Sequence, residues 1–351
     1  MREAYLMETK MKTLGIVTSN RADWGLLQPL ASALRATYNL KIYATGTHLS
    51  PQFGLTGVDI LNDGFEFLPV DVMVDSDSPT AVSKSMGLAM IGFAEEFRRI
   101  KLDGLIVLGD RFEICAAVMA AYNAHIPVFH CQAGDYTPGS LDEGYRSCVS
   151  HLSTLLFAGT IGAKLLLEDR MMNAIYTGSL CCVFPAVTAS PDYDAIMLYH
   201  PAVGGKLAEL HMILDSFGPD EKVLVVGGNG DVGGRMMQFL LPYTLSNQFH
   251  FVKTLPRKSF ISYLKGAKYI IGNSSCGIIE APSLHITTIN VGSRQAFRER
   301  AKSIHTVNTA EEIVNAKMWI GTHSYDDFVN PYAKEDTVGE IVSAIDKELN
   351  I

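Results

Sequence analysis

Acidic, basic and imidazole side chains gather at a few places in this 351-residue chain, each directly after a short apolar run. The densest group starts at Gln132-Ala133-Gly134-Asp135 and passes through Pro138-Gly139 to Asp142, Glu143 and Arg146. Carboxylates on either side of a Pro-Gly turn can fold back over one pocket. Proton transfer at a substrate carbon needs such a pair, one group to take a proton and another to assist a leaving or attacking oxygen. Taken alone, the same residues equally describe a solvated loop with Asp142 capping a helix. A further carboxylate, Asp110, follows Gly104–Leu108 in Gly109-Asp110-Arg111-Phe112-Glu113. The commonest role at a helix start is an N-cap, and a carboxylate at a strand end also serves as a general base or orients another acid.

Anion-binding candidates form a second set. In Ile271-Gly272-Asn273-Ser274-Ser275-Cys276-Gly277-Ile278-Ile279-Glu280 an apolar run enters a helical one through small residues. Free amides and two hydroxyls then face any anion at the helix start, and Glu280 is placed to accept both hydroxyls of a ribose. Phosphate donors and a diol acceptor so close together suggest a nucleoside diphosphate; a capping box is the structural alternative. Arg21, in a loop of small residues before a helix, can reach a phosphate. His48, in Ala44-Thr45-Gly46-Thr47-His48, is a possible ligand of the kind that more often is structural. His200 precedes Pro201, which holds its backbone extended. Gly227-Gly228-Asn229-Gly230-Asp231 permits close ligand approach without matching the GxGxxG dinucleotide pattern.

These loops need a scaffold that places them together. Continuous apolar runs predict strands at Thr13–Thr18, Leu40–Thr45, Gly104–Leu108, Pro127–Cys131, Leu155–Ala158, Ile196–Tyr199, Lys222–Val226, Phe249–Lys253, Tyr269–Ile271 and Thr287–Val291. Stretches with apolar residues at helical spacing separate them, as in Leu26–Thr37, Thr80–Arg99 and Arg111–Ala124. Strands without polar alternation between helices indicate parallel sheets covered on both faces. In such sheets ligands sit at the carboxyl ends of strands, where the polar residues above are found. The length predicts two domains, and the alternation of strands and helices, which runs to about Gly178 and restarts near Tyr193, bounds them at residues 11–180 and 190–335.

The bulk composition restricts partners. Hydrophobic residues make up 48% and charged residues 19%, as in a folded protein with a large core. A net charge of −8 without a basic run argues against nucleic acid and anionic membrane surfaces. The six cysteines form no CxxC pair and sit mostly in apolar runs, as expected of reduced thiols in the cytoplasm. The first ten residues lack the apolar centre of a signal peptide, and no apolar run approaches the ~20 residues of a membrane span.

Taken together, Arg21-Ala22-Asp23, Ala44–His48, Leu108–Arg111, Gly272–Ser283 and Gly292-Ser293-Arg294-Gln295 resemble the UDP-N-acetylglucosamine 2-epimerase family, most closely its hydrolysing, UDP-releasing branch of sialic and legionaminic acid synthesis. The resemblance spans nearly the whole chain. It implies an α/β, glycosyltransferase-B type fold of two Rossmann-like domains around a central cleft, with 336–351 as a C-terminal helix returning to the first domain, a UDP-sugar substrate and a homodimer. It implies neither metal nor other cofactor. The expected reaction removes the C2 proton, expels UDP to leave a glycal-like intermediate, and adds water with inversion at C2, giving N-acetylmannosamine or a related amino sugar. The implied catalytic set is Asp110, Asp135, Asp142 and His200. The implied binding set is Arg21, His48, Gln132, Arg146, Asn229, Arg257, Ser274, Ser275, Gly277, Glu280 and Arg294.

Departures from the family pattern cluster at the reacting end. The branch usually reads His-x-His-Gly-Gly-Glu, where this chain has His130-Cys131-Gln132-Ala133-Gly134-Asp135, and Ser147 replaces a frequent His. Gln132 cannot carry a proton at neutral pH, and Asp135 withdraws its carboxylate by about 1.5 Å. Two alternatives follow: a UDP-sugar-binding homologue with altered or lost turnover, and a glycosyltransferase on the same fold.

Overall fold

The computed structural model describes residues 11–74, 78–137, 141–200, 207–227, 247–322 and 328–350. Seven parallel strands form the first sheet: β1 (Thr13–Thr18), β2 (Asn39–Thr45), β3 (Phe67–Val70), β4 (Gly104–Leu108), β5 (Val128–Ala133), β6 (Leu155–Ala158) and β7 (Ala174–Tyr176). Six parallel strands form the second: β8 (Ala195–Leu198), β9 (Val223–Val226), β10 (Phe249–Val252), β11 (Tyr269–Gly272), β12 (Thr287–Val291) and β13 (Ile304–Val307). Their orders are β3-β2-β1-β4-β5-β6-β7 and β10-β9-β8-β11-β12-β13. Both have the Rossmann arrangement, in which the strand order reverses beside the first strand and opens a crevice there. The expected two-sheet α/β architecture is therefore present.

Helices connect the strands: α1 (Arg21–Leu34), α2 (Gly57–Asn62), α3 (Pro79–Arg99), α4 (Phe112–Asn123), α5 (Leu141–Leu152), α6 (Ile161–Asp169), α7 (Leu207–Asp215), α8 (Arg257–Gly266), α9 (Ser275–Ile279), α10 (Ala310–Thr322) and α11 (Thr337–Glu348). One face of the first sheet packs Ile16, Ile106 and Phe129 against Trp24, Leu27 and Leu34 of α1. Ile341 and Ile345 of α11 join that cluster, and Tyr38 Oη donates to Asp346 Oδ1 at 2.5 Å, so the C-terminal helix is built onto the first lobe. The other face packs Val17, Leu105 and Val107 against Phe93, Ile114 and Val118 of α3 and α4. Strands buried on both faces need apolar residues at every position, which is why β1 and β4 read so plainly as strands.

Three strands escape that pattern. β3, β7 and β13 all lie at sheet edges, paired on one side only. β7 has three residues, and β3 carries Pro69, which an edge tolerates because one row of donors is unused. The strand expected at Pro127–Cys131 instead runs from Val128 to Ala133, with a register irregularity between Cys131 and Ala133 where it pairs with β6. Gln132 sits at that bulge with φ of 64°, a left-handed conformation rare outside glycine.

Among the described residues no helix is long and apolar enough to cross a membrane.

Candidate functional site

The crevices of the two sheets face each other, and the loops after β1, β4, β8 and β11 line one cavity of about 350 Å³. After β1, Asn20 caps α1 by accepting from the Asp23 amide at 3.0 Å, while Asp23 Oδ2 accepts from Asn20 Nδ2 and Ser19 Oγ, both at 2.7 Å. This reciprocal cap sets the first helical turn and places Arg21 in the cavity wall. Burial raises the Asp23 carboxyl to about 6, only partly offset by those hydrogen bonds and by Arg111. Arg21 Nε is held at 2.5 Å by Asp59 Oδ2.

The first lobe supplies an acidic wall. Asp110, directly beyond β4, is bound by Arg146 of α5, which also grips Glu143 and donates to the Asp135 carbonyl at 3.0 Å. Burial would lower the Arg146 pKa, but the facing charges of Asp110, Asp135 and Glu143 outweigh it and raise it. One arginine thus fixes three acidic residues on the β4 loop, the β5 loop and α5. Asp142, at the start of α5, lines the same cavity. The bulge turns Gln132 so that Nε2 donates to Ser179 Oγ at 2.6 Å and to Cys181 Sγ at 3.0 Å. Behind this wall His130 bridges the Gly109 carbonyl (2.8 Å) and Ser150 Oγ (3.2 Å), and burial lowers its pKa to about 4.

The second lobe supplies donors and a separate carboxylate. Asn273 ties the β8 and β11 loops, accepting from the His200 amide at 2.7 Å and donating to the His200 carbonyl at 2.9 Å. Its own carbonyl accepts from Arg294 Nη1 (3.1 Å) and Gln295 Nε2 (2.8 Å). The ends of the paired strands β8 and β11 approach closely because Gly272, at φ of 140°, has no Cβ to overlap the Leu198 carbonyl. Ser274 caps α9 by accepting from the Cys276 amide at 3.3 Å, and Ser275 opens that helix. Glu280 is buried and paired with Arg257 at 2.9 Å, while Arg257 also donates to the Cys181 carbonyl at 2.8 Å. Arg257 therefore joins the second lobe to the segment that links the lobes.

A cleft with an acidic wall on one lobe and amide, hydroxyl and guanidinium donors on the other suits a ligand that is anionic at one end only. The sequence comparisons agree with that geometry. A family model described as UDP-N-acetylglucosamine 2-epimerase matches residues 32–346. The chain belongs to the UDP-N-acetylglucosamine 2-epimerase family. A GDP/UDP-N,N'-diacetylbacillosamine 2-epimerase (hydrolyzing) of Campylobacter jejuni is 30% identical over 319 residues, 82% of each chain. A UDP-N,N'-diacetylbacillosamine 2-epimerase (hydrolyzing) of Legionella pneumophila is 29% identical over 325 residues, 85% of each chain. Among solved structures, a Methanocaldococcus jannaschii UDP-GlcNAc 2-epimerase in complex with UDP-GlcNAc and UDP superposes with a TM-score of 0.78 at 18% identity, covering 95% of this chain and 99% of that one. At that identity the likeness establishes the shared fold.

For this member of the UDP-N-acetylglucosamine 2-epimerase family, the cavity brings together Arg21, Asp110, Gln132, Asp135, Asp142, Arg146, His200, Arg257, Ser274, Ser275, Glu280 and Arg294. Two expected ligand residues lie elsewhere. His48 is 1% exposed, with Nε2 at 3.0 Å from Thr18 Oγ1 and Nδ1 at 2.9 Å from Thr56 Oγ1. Burial lowers its pKa to about 4, so it is a neutral core imidazole with both nitrogens used inside the first lobe. Gly277 is buried in α9 against β12, where a Cβ would crowd the Thr288 methyl. Asn229 lies outside the described residues, as does Pro201.

The cavity also contains residues without an expected role, notably Asp23, Arg111, Thr137 and Arg298. Arg298 forms an ion pair with Asp135 at 3.0 Å, across the cleft. Its only sequence signal is position, four residues beyond Arg294 on the same post-strand loop. Among the described residues no group of three His, Cys, Asp or Glu side chains could hold a metal ion.

Proposed function

We propose that this protein is a hydrolysing UDP-sugar 2-epimerase that acts on a 2-acetamido sugar. The observation that carries this reading is the division of one cavity between an acidic wall, with Asp110, Asp135 and Asp142, and a donor wall, with His200, Ser274, Ser275 and Arg294. On this reading the catalytic lobe comprises 11–180 with 336–351, and the nucleotide lobe comprises 190–335.

Inverting C2 requires a base on one face of the sugar and an acid on the other. On this reading Asp110, on the β4 loop, and Asp142, at the start of α5, are the two groups; both line the cavity. The C2–H bond breaks, the C1–O bond to UDP breaks, and a glycal-like intermediate remains. Water then gives its oxygen to C1, and C2 regains a proton on the opposite face. Negative charge develops on the departing diphosphate, where His200, Arg21, Arg294 and the Ser274–Ser275 hydroxyls and amides stabilise it. Glu280 accepts the ribose hydroxyls. Gln132 and Asp135, the departures from the family pattern, are taken as contacts to the sugar substituents. The names of the Campylobacter and Legionella relatives favour a 2,4-diacetamido sugar as substrate, with N-acetylglucosamine as the simpler one. The same reading places the enzyme in the cytoplasm as a homodimer, which light scattering after size exclusion would test.

Incubation with UDP-N-acetylglucosamine, and separately with UDP-N,N'-diacetylbacillosamine, in deuterated water tests the reaction by proton NMR. The expected result is free UDP together with a 2-epimerised sugar that carries deuterium at C2. UDP release with unchanged configuration at C2 would refute the epimerase reading. One observation favours a second reading, a UDP-sugar-binding protein without turnover: the Asp135 carboxylate is already engaged by Arg298 at 3.0 Å. UDP binding with neither sugar converted is the outcome that selects it.

A further inference from the structure

Three consecutive residues of the second lobe each grip a different point on the first. The Phe297 ring packs edge-to-face on Tyr136 with centroids 5.5 Å apart. Arg298 Nη1 reaches Asp135 Oδ2 at 3.0 Å. Glu299 Oε1 accepts from the Gly162 amide at 3.1 Å, an approach possible because a Cβ at Gly162 would overlap that carboxylate.

The centre of this contact is enclosed and its flank is not. The Arg298 and Asp135 side chains are 9% and 12% exposed, whereas Phe297 is 66% and Tyr136 40% exposed. Little apolar surface would be lost from cover if the rings parted. Among the described residues Arg298 Nε is buried without a hydrogen-bond partner.

Asp135 is held from both lobes. Its carbonyl accepts from Arg146 of its own lobe and its carboxylate pairs with Arg298 of the other. An aspartate reaches less far into the cleft than the glutamate of the family pattern, and here an arginine comes from the opposite side to meet it. Resting on the proposed reaction, we propose that Arg298 is a positioning residue: it fixes the Asp135 carboxylate across the cleft, so that the sugar end of the site is complete only while Phe297, Arg298 and Glu299 are docked on the first lobe. Docking of a lobe loop thereby couples cleft closure to alignment of the sugar.

The test compares Arg298→Met, Arg298→Lys, Phe297→Ala and Asp135→Asn, with kcat and KM for UDP-N-acetylglucosamine and UDP-N,N'-diacetylbacillosamine and with UDP affinity as a check on the fold. Arg298→Met should lower kcat about a hundredfold, the scale of a sugar held about 1 Å out of line with the reacting groups, with UDP affinity little changed. Arg298→Lys should restore part of the loss, since it keeps the charge without the planar fork. Phe297→Ala, at an exposed ring, should lower kcat in the same sense by a smaller factor. Wild-type kcat in Arg298→Met beside an inactive Asp135→Asn would overturn the positioning role and leave the proposed function standing. Wild-type kcat in Asp135→Asn would overturn it from the other side, and an equal loss of UDP affinity in Arg298→Met would make Arg298 structural. Should the wild-type protein convert neither sugar, the proposed function fails, and hydrogen exchange of the UDP-bound protein decides the docking: faster exchange at the Gly162 amide in Arg298→Met and Phe297→Ala supports it, and unchanged exchange refutes it.

Discussion

Acid should destabilise the first lobe through two histidines that take no part in the reaction. His48 and His130 are buried and neutral, and each titrates at about 4 in the folded protein because burial penalises the imidazolium. In the unfolded chain an imidazole takes its proton near 6.5. Between those values the unfolded state binds more protons, so stability is lost as pH falls through that window. From pH 7 to pH 5 each histidine removes about 2 kcal/mol. Asp23 acts in the opposite direction. Its folded carboxyl titrates at about 6, above the unfolded value, so acidification over the same interval stabilises by about 1 kcal/mol. The balance is a loss of about 3 kcal/mol between pH 7 and pH 5. Urea unfolding at the two pH values measures it through Trp24, which is buried against Phe65 in the first lobe. The background should carry Trp319→Phe, because Trp319 lies 5.0 Å from His305 and would report that group as well. Replacing both histidines by asparagine keeps neutral polar groups and removes the titration. The double variant, less stable overall, should then gain about 1 kcal/mol from pH 7 to pH 5. An acid loss equal to that of the wild type in the double variant would refute the reasoning. His48→Asn alone should leave UDP affinity unchanged, since its imidazole does not line the cleft.

Three further outcomes are expected. Asp110→Asn and Asp142→Asn should each abolish most turnover while UDP titrations stay at wild-type affinity; full turnover in both would remove them from the mechanism. Glu280→Gln should weaken UDP binding measured by calorimetry, and it should also loosen Arg257, with which Glu280 pairs at 2.9 Å; wild-type affinity would rule out the ribose contact. Gly272→Ala should destabilise the second lobe by about 4 kcal/mol or more, because φ of 140° and the Leu198 carbonyl leave no room for a Cβ; a wild-type melting temperature would show that the paired ends of β8 and β11 relax freely.

Much of the fold was legible along the chain, for a local reason. A strand sandwiched between helices must be apolar at every position, and the interior strands β1, β4, β5, β8, β11 and β12 satisfy that demand in their own residues. Several polar groups directly after them could be placed at the cavity as well, because a parallel sheet has one functional end, where its loops meet at the reversal of strand order. Asp110, His200 and Ser274 were found in this way. Edge strands β3, β7 and β13 were not, since pairing on one side requires little of their composition. His48 shows the limit most clearly. It follows a strand among small residues, as a ligand would, and only Thr18 and Thr56, arriving from other segments, turn it into a core residue. The pairing of Asp135 with Arg298 was equally hidden, because it joins two lobes that share no local pattern. Periodicity records which residues are covered. Which charges meet across a cleft is decided in space, by two sheets built separately and brought face to face.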